Sequence, residues 1–287
     1  KYFLELFHGA TIAFKDMALS ILPHLLTTAA RKNNITNDIV ILTATSGDTG
    51  KAALAGFADV PGTKIVVFYP DGGVRELAQE MEEKGYQFSS ANSINIGRLI
   101  PQVVYYVWAY TRLIKQGAIK CGDKIDFVVP TGNFGNILAG YYAKLMGLPV
   151  NKFICASNDN KVLFDFFRTG TYDKNREFIL TNSPSMDILV SSNLERLIYR
   201  ITGESEEQTR TFMEQLATEG KYSITNEMRE GLSDFVGVYA GDAESISEIK
   251  RLYDASDYIM DTHTAVAACG YEKYKAETGD DTPVVIV

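Results

Sequence analysis

Short runs of aliphatic and β-branched residues recur along the chain, and longer amphipathic segments separate them. Within each run apolar residues follow one another instead of alternating with polar ones, which is typical of strands buried on both faces of a parallel sheet. The predicted strands are Ile39–Ala44, Lys64–Tyr69, Ile125–Val129, Phe153–Ala156 and Val284–Val287. The predicted helices are Lys51–Ala58, Arg75–Lys84, Ile137–Met146, Glu244–Tyr253 and Ala265–Ala276. This alternation predicts an α/β doubly wound fold with mostly parallel sheets.

Length, charge and cysteine content narrow the class of protein. A chain of 287 residues is long for one core, so two domains or one large α/β unit are expected. The net charge of -8 argues against a nucleic-acid or membrane partner, and no apolar run is long enough for a membrane helix. Three scattered cysteines favour a reducing, cytoplasmic compartment. The three histidines show no metal-ligand spacing, so no metal site is expected.

A loop of small residues follows the predicted strand Ile125–Val129 and opens onto a predicted helix. It consists of Thr131, Gly132, Asn133, Phe134, Gly135 and Asn136. Backbone N–H groups at a helix start form an anion site, and the helix dipole adds about half a positive charge. Two glycines let the backbone approach a phosphate closely. An ordinary strand-to-helix turn is the alternative, and the loop alone does not decide between the two.

A second polar loop follows the strand Ile39–Ala44. It contains Ser46, Gly47, Asp48, Thr49 and Gly50. In doubly wound sheets ligands bind at the carboxyl ends of strands, where both loops are expected to lie. The alternative is a helix-capping loop, because Ser, Thr and Asp are all good caps. Two such loops in one chain favour a binding site.

Lys15 lies in an otherwise largely apolar stretch, Ile12–Leu22. Apolar surroundings disfavour the charged amine, which makes such a lysine a better nucleophile and base and suits it to a Schiff base. The alternative is a lysine at the edge of a helix, paired with Asp16 or with solvent. A lysine, a phosphate loop and a polar anion loop together suggest pyridoxal 5'-phosphate as the cofactor.

Further motifs give the chain a specific resemblance. They are Leu4–Gly9, Ala13–Asp16, Thr45–Gly50, Ser89–Asn95 with Arg98 and Pro101–Gln102, Pro130–Asn136, Ala156–Asn160, Ser183–Ile188, Ser192–Arg196 and Asp261–Val266. In this order and combination they resemble the threonine synthases. That family consists of fold-type II pyridoxal-phosphate enzymes related to the β chain of tryptophan synthase.

The resemblance implies roles for individual residues. Lys15 matches the Schiff-base lysine, and Asp48 falls near the ring oxygen of the cofactor. The residues that match the loop holding the cofactor phosphate are Gly132, Asn133, Phe134, Gly135 and Asn136. Those implied in binding the substrate are Ser46, Gly47, Thr49, Gly50, Asn92, Ser93, Asn95 and Arg98. The guanidinium of Arg98 can bind an anion through two parallel hydrogen bonds. The alternative is that its segment only caps and packs a helix.

The resemblance also implies an activity, the conversion of O-phospho-L-homoserine and water to L-threonine and phosphate. The expected protein is therefore a lyase of threonine biosynthesis that acts on a small molecule as a monomer or homodimer. One alternative is a phospholyase of the same fold that gives 2-oxobutyrate, ammonia and phosphate. Another is a non-catalytic protein that binds a phosphate ligand, against which the presence of Lys15 argues.

The expected domains are a smaller α/β domain of residues 31–115, which carries the substrate-anion loop, and a larger cofactor-binding domain of residues 1–30 and 116–287. The chain also departs from the family pattern at several places. Ala10 replaces a proline, and the join at Val74–Arg75 is short, through a deletion or missing residues. We expect the N-terminal helical domain of the family to be absent from the chain. The partner of the pyridine nitrogen is expected beyond Val287.

Overall fold

A computed structural model describes residues 1–44, 48–68, 87–89 and 91–287. The helices are α1 Asp16–Lys32, α2 Asp48–Phe57, α3 Ile96–Leu99, α4 Val103–Lys115, α5 Gly135–Leu145, α6 Val162–Thr169, α7 Leu194–Ile201, α8 Glu206–Thr218, α9 Asn226–Glu230, α10 Asp242–Ser256 and α11 Thr262–Thr278. The strands are β1 Tyr2–Phe3, β2 Ile39–Ala44, β3 Thr63–Phe68, β4 Gln87–Ser89, β5 Ile125–Pro130, β6 Val150–Ser157, β7 Thr171–Asp173, β8 Lys221–Ser223, β9 Phe235–Tyr239 and β10 Val284–Ile286. Short 3-10 helices span Ile100–Gln102 and Pro184–Met186.

The chain forms two compact units. The larger unit comprises Lys1–Leu4 and Tyr105–Val287, and the smaller unit comprises Glu5–Val104. A parallel sheet with the strand order β1-β10-β5-β6-β9 lies at the centre of the larger unit. A three-stranded parallel sheet with the order β3-β2-β4 lies in the smaller unit. The predicted fold class, α/β with mostly parallel sheets, is therefore confirmed.

Helices cover both faces of β5, the middle strand of the larger sheet. On one face Val128 joins a core that includes Ala265 and Ala268 of α11. On the other face the ring of Phe127 meets that of Tyr106 of α4 edge-on, with 4.8 Å between their centroids. Burial on both faces explains why apolar residues follow one another from Phe127 to Val129 of this strand. The strand leads directly into the loop that was predicted to bind phosphate.

The smaller unit packs α1 and α2 against β2. Leu19 and Leu22 of α1 share a core with Ile41 of β2 and Phe57 of α2. The two helices approach closely at Gly56, where an added Cβ would lie 2.3 Å from the carbonyl oxygen of Leu19. A side chain at this position would therefore separate α1 from α2.

This packing differs from the predicted domain boundaries. Residues 5–30 were assigned to the larger domain, but α1 packs in the core of the smaller unit. Residues 105–115 were assigned to the smaller domain, but Tyr106 packs on the larger sheet. The apolar pattern of a helix shows that it needs a core and not which core it joins, so the sequence could not fix these boundaries.

The predicted strands agree with β2, β3, β5, β6 and β10, and four of the five predicted helices agree with α2, α5, α10 and α11. Tyr69 at the end of the second predicted strand, the predicted helix Arg75–Lys84 and the short join at Val74–Arg75 lie outside the described residues. Among the described helices, none combines the length and the apolar character that crossing a membrane requires.

Candidate active site

The loop between β5 and α5 lies at the carboxyl edge of the larger sheet. Thr131 fixes its first residue to the sheet, because its N–H donates to the carbonyl of Ala156 at 2.8 Å. The hydroxyl of Thr131 donates to the carbonyl of Val129 at 2.7 Å. Pro130 pairs with Ala156 in the sheet register, so the loops that follow β5 and β6 begin side by side.

Phe134, the last residue before α5, has a left-handed backbone with φ of 62°. This conformation is uncommon for a bulky residue and costs of order 1–3 kcal/mol. The ring of Phe134 is buried, and its centroid lies 6.0 Å from that of Phe167 and 5.7 Å from that of Phe235. We infer that burial of this ring holds the loop in its strained form.

Side chains from a distant segment bind the carbonyl groups of the loop. The hydroxyl of Ser191 donates to the carbonyl of Gly132 at 2.8 Å. The carbonyl of Asn133 accepts from the side-chain amide of Asn193 at 2.9 Å and from its backbone N–H at 3.1 Å. Ser191 and Asn193 are both buried. The carbonyl oxygens of two successive loop residues therefore face the protein interior.

The start of α5 carries no side-chain cap from Phe134, its N-cap residue. The N–H groups of a first helical turn have no partner within the helix, so an external anion can accept from them. Tyr106 fixes Asn136 at this turn, because its hydroxyl donates to the Asn136 carbonyl at 2.9 Å and also contacts the Asn136 side-chain oxygen. Inward carbonyls and an uncapped helix start fit a phosphate group.

Gly132 packs directly against a neighbouring loop. A Cβ at this position would lie 2.7 Å from the carbonyl oxygen of Ser185.

The N–H of Ser185 donates to Nε2 of His263 at 3.1 Å, and Nδ1 of His263 lies 3.1 Å from Oδ1 of Asp261. Burial alone would raise the pKa of Asp261, but hydrogen bonds from His263 and Thr264 outweigh it and lower that pKa below its ordinary value. Asp261 is therefore ionised at neutral pH.

Lys15 immediately precedes α1 in the smaller unit and is half-buried. Its ammonium nitrogen lies 5.1 Å from the centroid of the Phe14 ring. The carboxylate of Asp16 accepts from the N–H of Thr11 at 2.8 Å and contacts the Thr11 hydroxyl. It also lies against Gly9, where an added Cβ would be 2.3 Å from Oδ2 of Asp16. Asp16 thus ties Gly9 and Thr11 to the start of α1, next to Lys15.

Arg98 is only 3% exposed in the smaller unit. Its guanidinium donates to the carbonyl of Ala91 at 2.8 Å, and its Nε is buried without a hydrogen-bond partner among the described residues. Burial lowers the pKa of Arg98 to about 10, so the side chain stays cationic at neutral pH. A buried cation with an unsatisfied donor suits an anionic partner.

The other residues implied in substrate binding have differing environments. Asn95 caps α3, because its side-chain oxygen accepts from the N–H of Gly97 at 2.8 Å. The turn before α3 contains Asn92, which is exposed, and Ser93, which is half-buried. In the first turn of α2, Thr49 is half-buried and Gly50 is buried, while the backbone of Asp48 begins the helix. The remaining two, Ser46 and Gly47, lie outside the described residues.

Sequence reasoning missed the residues that donate to the carbonyls of the predicted phosphate loop. Ser191 and Asn193 lie 59 and 60 residues further along the chain than the loop carbonyls they bind. Asn193 lies within the motif Ser192–Arg196, which carried part of the resemblance without an assigned role. The only available signal was therefore that motif, and it did not include Ser191.

Known proteins with similar sequences indicate the family of this chain. No family model matches the chain. Human threonine synthase-like 1 is 38% identical over an alignment that covers 100% of this chain and 44% of that protein. Threonine synthase from Saccharomyces cerevisiae is 32% identical, with 97% of this chain and 64% of the enzyme covered. The chain thus spans less than half of the human relative and under two thirds of the yeast one.

Solved structures share the fold at similar identity. The crystal structure of yeast threonine synthase matches with a TM-score of 0.88 at 32% identity and covers 99% of this chain and 65% of that one. A threonine synthase from Brucella melitensis, solved with pyridoxal phosphate bound, matches with a TM-score of 0.86 at 32% identity, covering 99% and 66%. The fold is that of the type II pyridoxal-phosphate enzymes. Within that class, the chain belongs to the threonine synthase family.

The alignment with the human relative bears on the short join at Val74–Arg75. It extends over 332 positions, whereas this chain has 287 residues. The alignment therefore contains gaps opposite residues of the relative. The deletion or missing segment at this join stays a prediction.

Proposed function

We propose that this chain carries the catalytic core of an enzyme that uses pyridoxal 5'-phosphate to convert O-phospho-L-homoserine and water to L-threonine and phosphate. Membership of the threonine synthase family supports the cofactor and the class of reaction. The observation that carries the proposal is the start of α5, which has no side-chain cap and follows a loop whose carbonyls face inward. A helix start of this kind suits a phosphate monoester.

The cofactor would be held at both ends by residues of this chain. The loop Gly132–Asn136 would bind its phosphate through backbone N–H groups, and Nζ of Lys15 would bind its aldehyde carbon. Asp48 remains the proposed neighbour of its ring oxygen. When bound, the cofactor supplies a conjugated ring that withdraws electrons from the bonds at the α carbon of an amino-acid substrate.

Two segments of the smaller unit would bind the substrate. The proposed ligands of its carboxylate or phosphate are Ser46, Gly47, Thr49 and Gly50 at the start of α2. Asn92, Ser93, Asn95 and Arg98 form the second segment. The buried Nε of Arg98, which lacks a hydrogen-bond partner among the described residues, supports an anion-binding role for that side chain. Asn95 would act by capping α3 and so orienting Arg98, since Asn95 already accepts from the N–H of Gly97.

Lys15 would also move protons during the reaction. Its Nζ is the proposed base that would take the proton from the α carbon of the bound substrate. Removing a general base typically costs roughly 100- to 10,000-fold in rate. Binding an anionic substrate and excluding water until phosphate has left would then favour the addition of water at Cβ over side reactions.

Product analysis of the full-length protein with pyridoxal phosphate and O-phospho-L-homoserine tests this function. We expect L-threonine and inorganic phosphate in equal amounts. Production of 2-oxobutyrate and ammonia in place of threonine would instead identify a phospholyase. Absence of both turnover and any change in the visible spectrum on adding substrate would favour a non-catalytic binding protein.

Lys15→Ala provides the variant that should abolish turnover and the visible absorbance of the bound cofactor. Lys32→Ala is a matched control, because Lys32 is an exposed lysine at the other end of the same helix, α1. The control should keep the activity and the spectrum of the unaltered protein. A Lys15→Ala protein that remained active and yellow would refute the role of Lys15.

A further inference from the structure

We propose that Ser191 and Asn193 are positioning residues that aim the N–H groups of the phosphate loop outward by holding its carbonyls inward. The inference rests on the proposed function and deepens it, because it assigns the phosphate selectivity of the loop to a segment about 60 residues away. Neither residue belongs to the loop or to the groups proposed to touch substrate. Both act through the backbone of Gly132 and Asn133.

Ser191 is held in place by a buried tyrosine. Its N–H donates to the hydroxyl of Tyr172 at 2.8 Å, and the same hydroxyl donates to the carbonyl of Leu189 at 3.1 Å. Tyr172 is 1% exposed, so water does not compete for these hydrogen bonds. The Ser191 hydroxyl donates in turn to the carbonyl of Gly132 at 2.8 Å. The serine therefore offers the loop a donor in a fixed position.

Arg196 orients the side chain of Asn193. Its side-chain oxygen accepts from the guanidinium of Arg196 at 2.6 Å, which leaves the amide nitrogen to face the carbonyl of Asn133 at 2.9 Å. The backbone N–H of Asn193 donates to the same carbonyl at 3.1 Å. Asn193 is fully buried. Both lone pairs of the Asn133 carbonyl are thus engaged from the protein side.

Peptide geometry converts these bonds into an anion site. In a planar trans peptide, the C=O of one residue and the N–H of the next point in opposite directions. Holding the carbonyls of Gly132 and Asn133 inward therefore turns the N–H groups of Asn133 and Phe134 away from Ser191 and Asn193. These N–H groups precede the uncapped first turn of α5 in the chain. Successive N–H groups arranged in this way form a concave site for an anion.

If Ser191 and Asn193 only supported the fold, replacing them would lower the affinity for any form of the cofactor. If they aim the loop N–H groups, replacing them would lower only the part of the affinity that comes from the phosphate. The ratio of affinities for pyridoxal 5'-phosphate and for pyridoxal, which lacks the phosphate, separates these two cases. Each variant is compared with the unaltered protein, so the intrinsic difference between the two ligands in reacting with Lys15 cancels.

The test measures dissociation constants of both ligands for the full-length protein stripped of cofactor. In Asn193→Asp the bond from Arg196 can remain, but the donor to Asn133 becomes an acceptor. Ser191→Ala removes the hydroxyl, and Ser191→Thr keeps it. We expect Asn193→Asp and Ser191→Ala to weaken pyridoxal phosphate binding by about 10-fold or more, with pyridoxal binding unchanged. Ser191→Thr should restore the affinity.

Asn158→Ala is the control for changing a buried asparagine that does not bind the loop. Asn158 is 1% exposed, and its amide donates to Thr181 at 2.9 Å and to Asp187 at 2.8 Å, with no bond to the loop among its described contacts. It should leave the affinity ratio of the two ligands unchanged. If Asn193→Asp does not fold, the Ser191→Ala and Ser191→Thr pair decides the question.

Two outcomes would contradict the proposals, and they differ. Equal losses of affinity for pyridoxal phosphate and pyridoxal in Ser191→Ala would reduce Ser191 to a structural role and overturn the inference. An unaltered protein that bound both ligands equally would show that the loop is not a phosphate site. That result would count against the proposed function itself.

Discussion

Two helices of the larger unit begin in opposite ways. α11 follows Asp261, whose carboxylate accepts from the N–H of His263 at 2.8 Å and of Thr264 at 3.2 Å. α5 follows Phe134, which provides no side-chain cap. The first helix start is closed by an anion of the chain itself, whereas the second can accept an external anion. The two starts therefore differ in whether a side chain of the protein itself accepts from their N–H groups.

The preceding loops differ in the same sense. The side chain that caps α11 is Asp261, a residue adjacent to the helix in sequence. The loop before α5 is instead shaped by Ser191 and Asn193, which bind its carbonyls and leave its N–H groups uncapped. A short local motif therefore closes one helix start, and distant residues keep the other open.

The largest effect is expected from Gly132→Ala. The new Cβ would lie 2.7 Å from the carbonyl oxygen of Ser185 and 3.3 Å from the Cα of Met186, and these backbone atoms cannot rotate aside as a side chain can. We expect the unfolding free energy to fall by about 1–3 kcal/mol and pyridoxal phosphate binding to weaken as well. Denaturant titration and ligand titration measure the two quantities. Unchanged stability and affinity would mean that the loop tolerates a shift away from Ser185.

Crowding the open helix start should weaken cofactor binding with less effect on stability. Gly135→Val places a branched side chain at the first position of α5, and we expect pyridoxal phosphate affinity to fall roughly 10- to 100-fold. Thr262→Val is the matched control, because Thr262 occupies the first position of α11. The control should change the affinity by less than about threefold. Equal losses in both variants would remove the distinction between the two helix starts.

Removing the internal cap should affect stability alone. Asp261→Ala deprives the N–H groups of His263 and Thr264 of their acceptor, so we expect the unfolding free energy to fall by about 1 kcal/mol. Asp261→Asn retains a capping oxygen and should recover most of this loss. Cofactor affinity should stay within about threefold of the unaltered protein. A loss of affinity comparable to that of Gly135→Val would mean that the start of α11 contributes to the site.

The smallest expected effect is a dependence of stability on pH at the closed helix start. The pKa of Asp261 is lowered in the folded protein, so its stabilising contribution is present above its pKa in the unfolded chain, about 4, and is lost as the pH falls further. Asp261→Asn has no charge to titrate. Denaturant titrations between about pH 3 and pH 7 should show the stability of the two proteins converging at low pH. A constant difference would contradict the lowered pKa.

Much of the larger sheet was predictable because its strands are covered on both faces. β10 and most of β5 consist of apolar residues that do not alternate with polar ones, and their patterns stand out in the sequence. β9 was missed, although it lies in the same sheet. It is five residues long and contains Gly237, whose missing side chain admits Phe164 of α6, where an added Cβ would lie 3.0 Å from the Cα. Such a close approach is a tertiary feature without a local pattern.

The candidate site was predictable only where it depends on local sequence. The glycines of the loop and the position of Lys15 before an apolar helix can be read directly. The left-handed backbone of Phe134 could not be predicted, since burial of its ring against Phe167 and Phe235 maintains it. The role of Asn193 could not be predicted either, because only the fold brings this residue to the loop.

Reductive trapping of the cofactor tests the central claim most directly. The full-length protein would be loaded with pyridoxal 5'-phosphate, reduced with borohydride and digested, and the modified peptide would be identified by mass spectrometry. The account predicts that the phosphopyridoxyl group is attached to Lys15. Attachment to a different lysine, or no attachment at all, would contradict it.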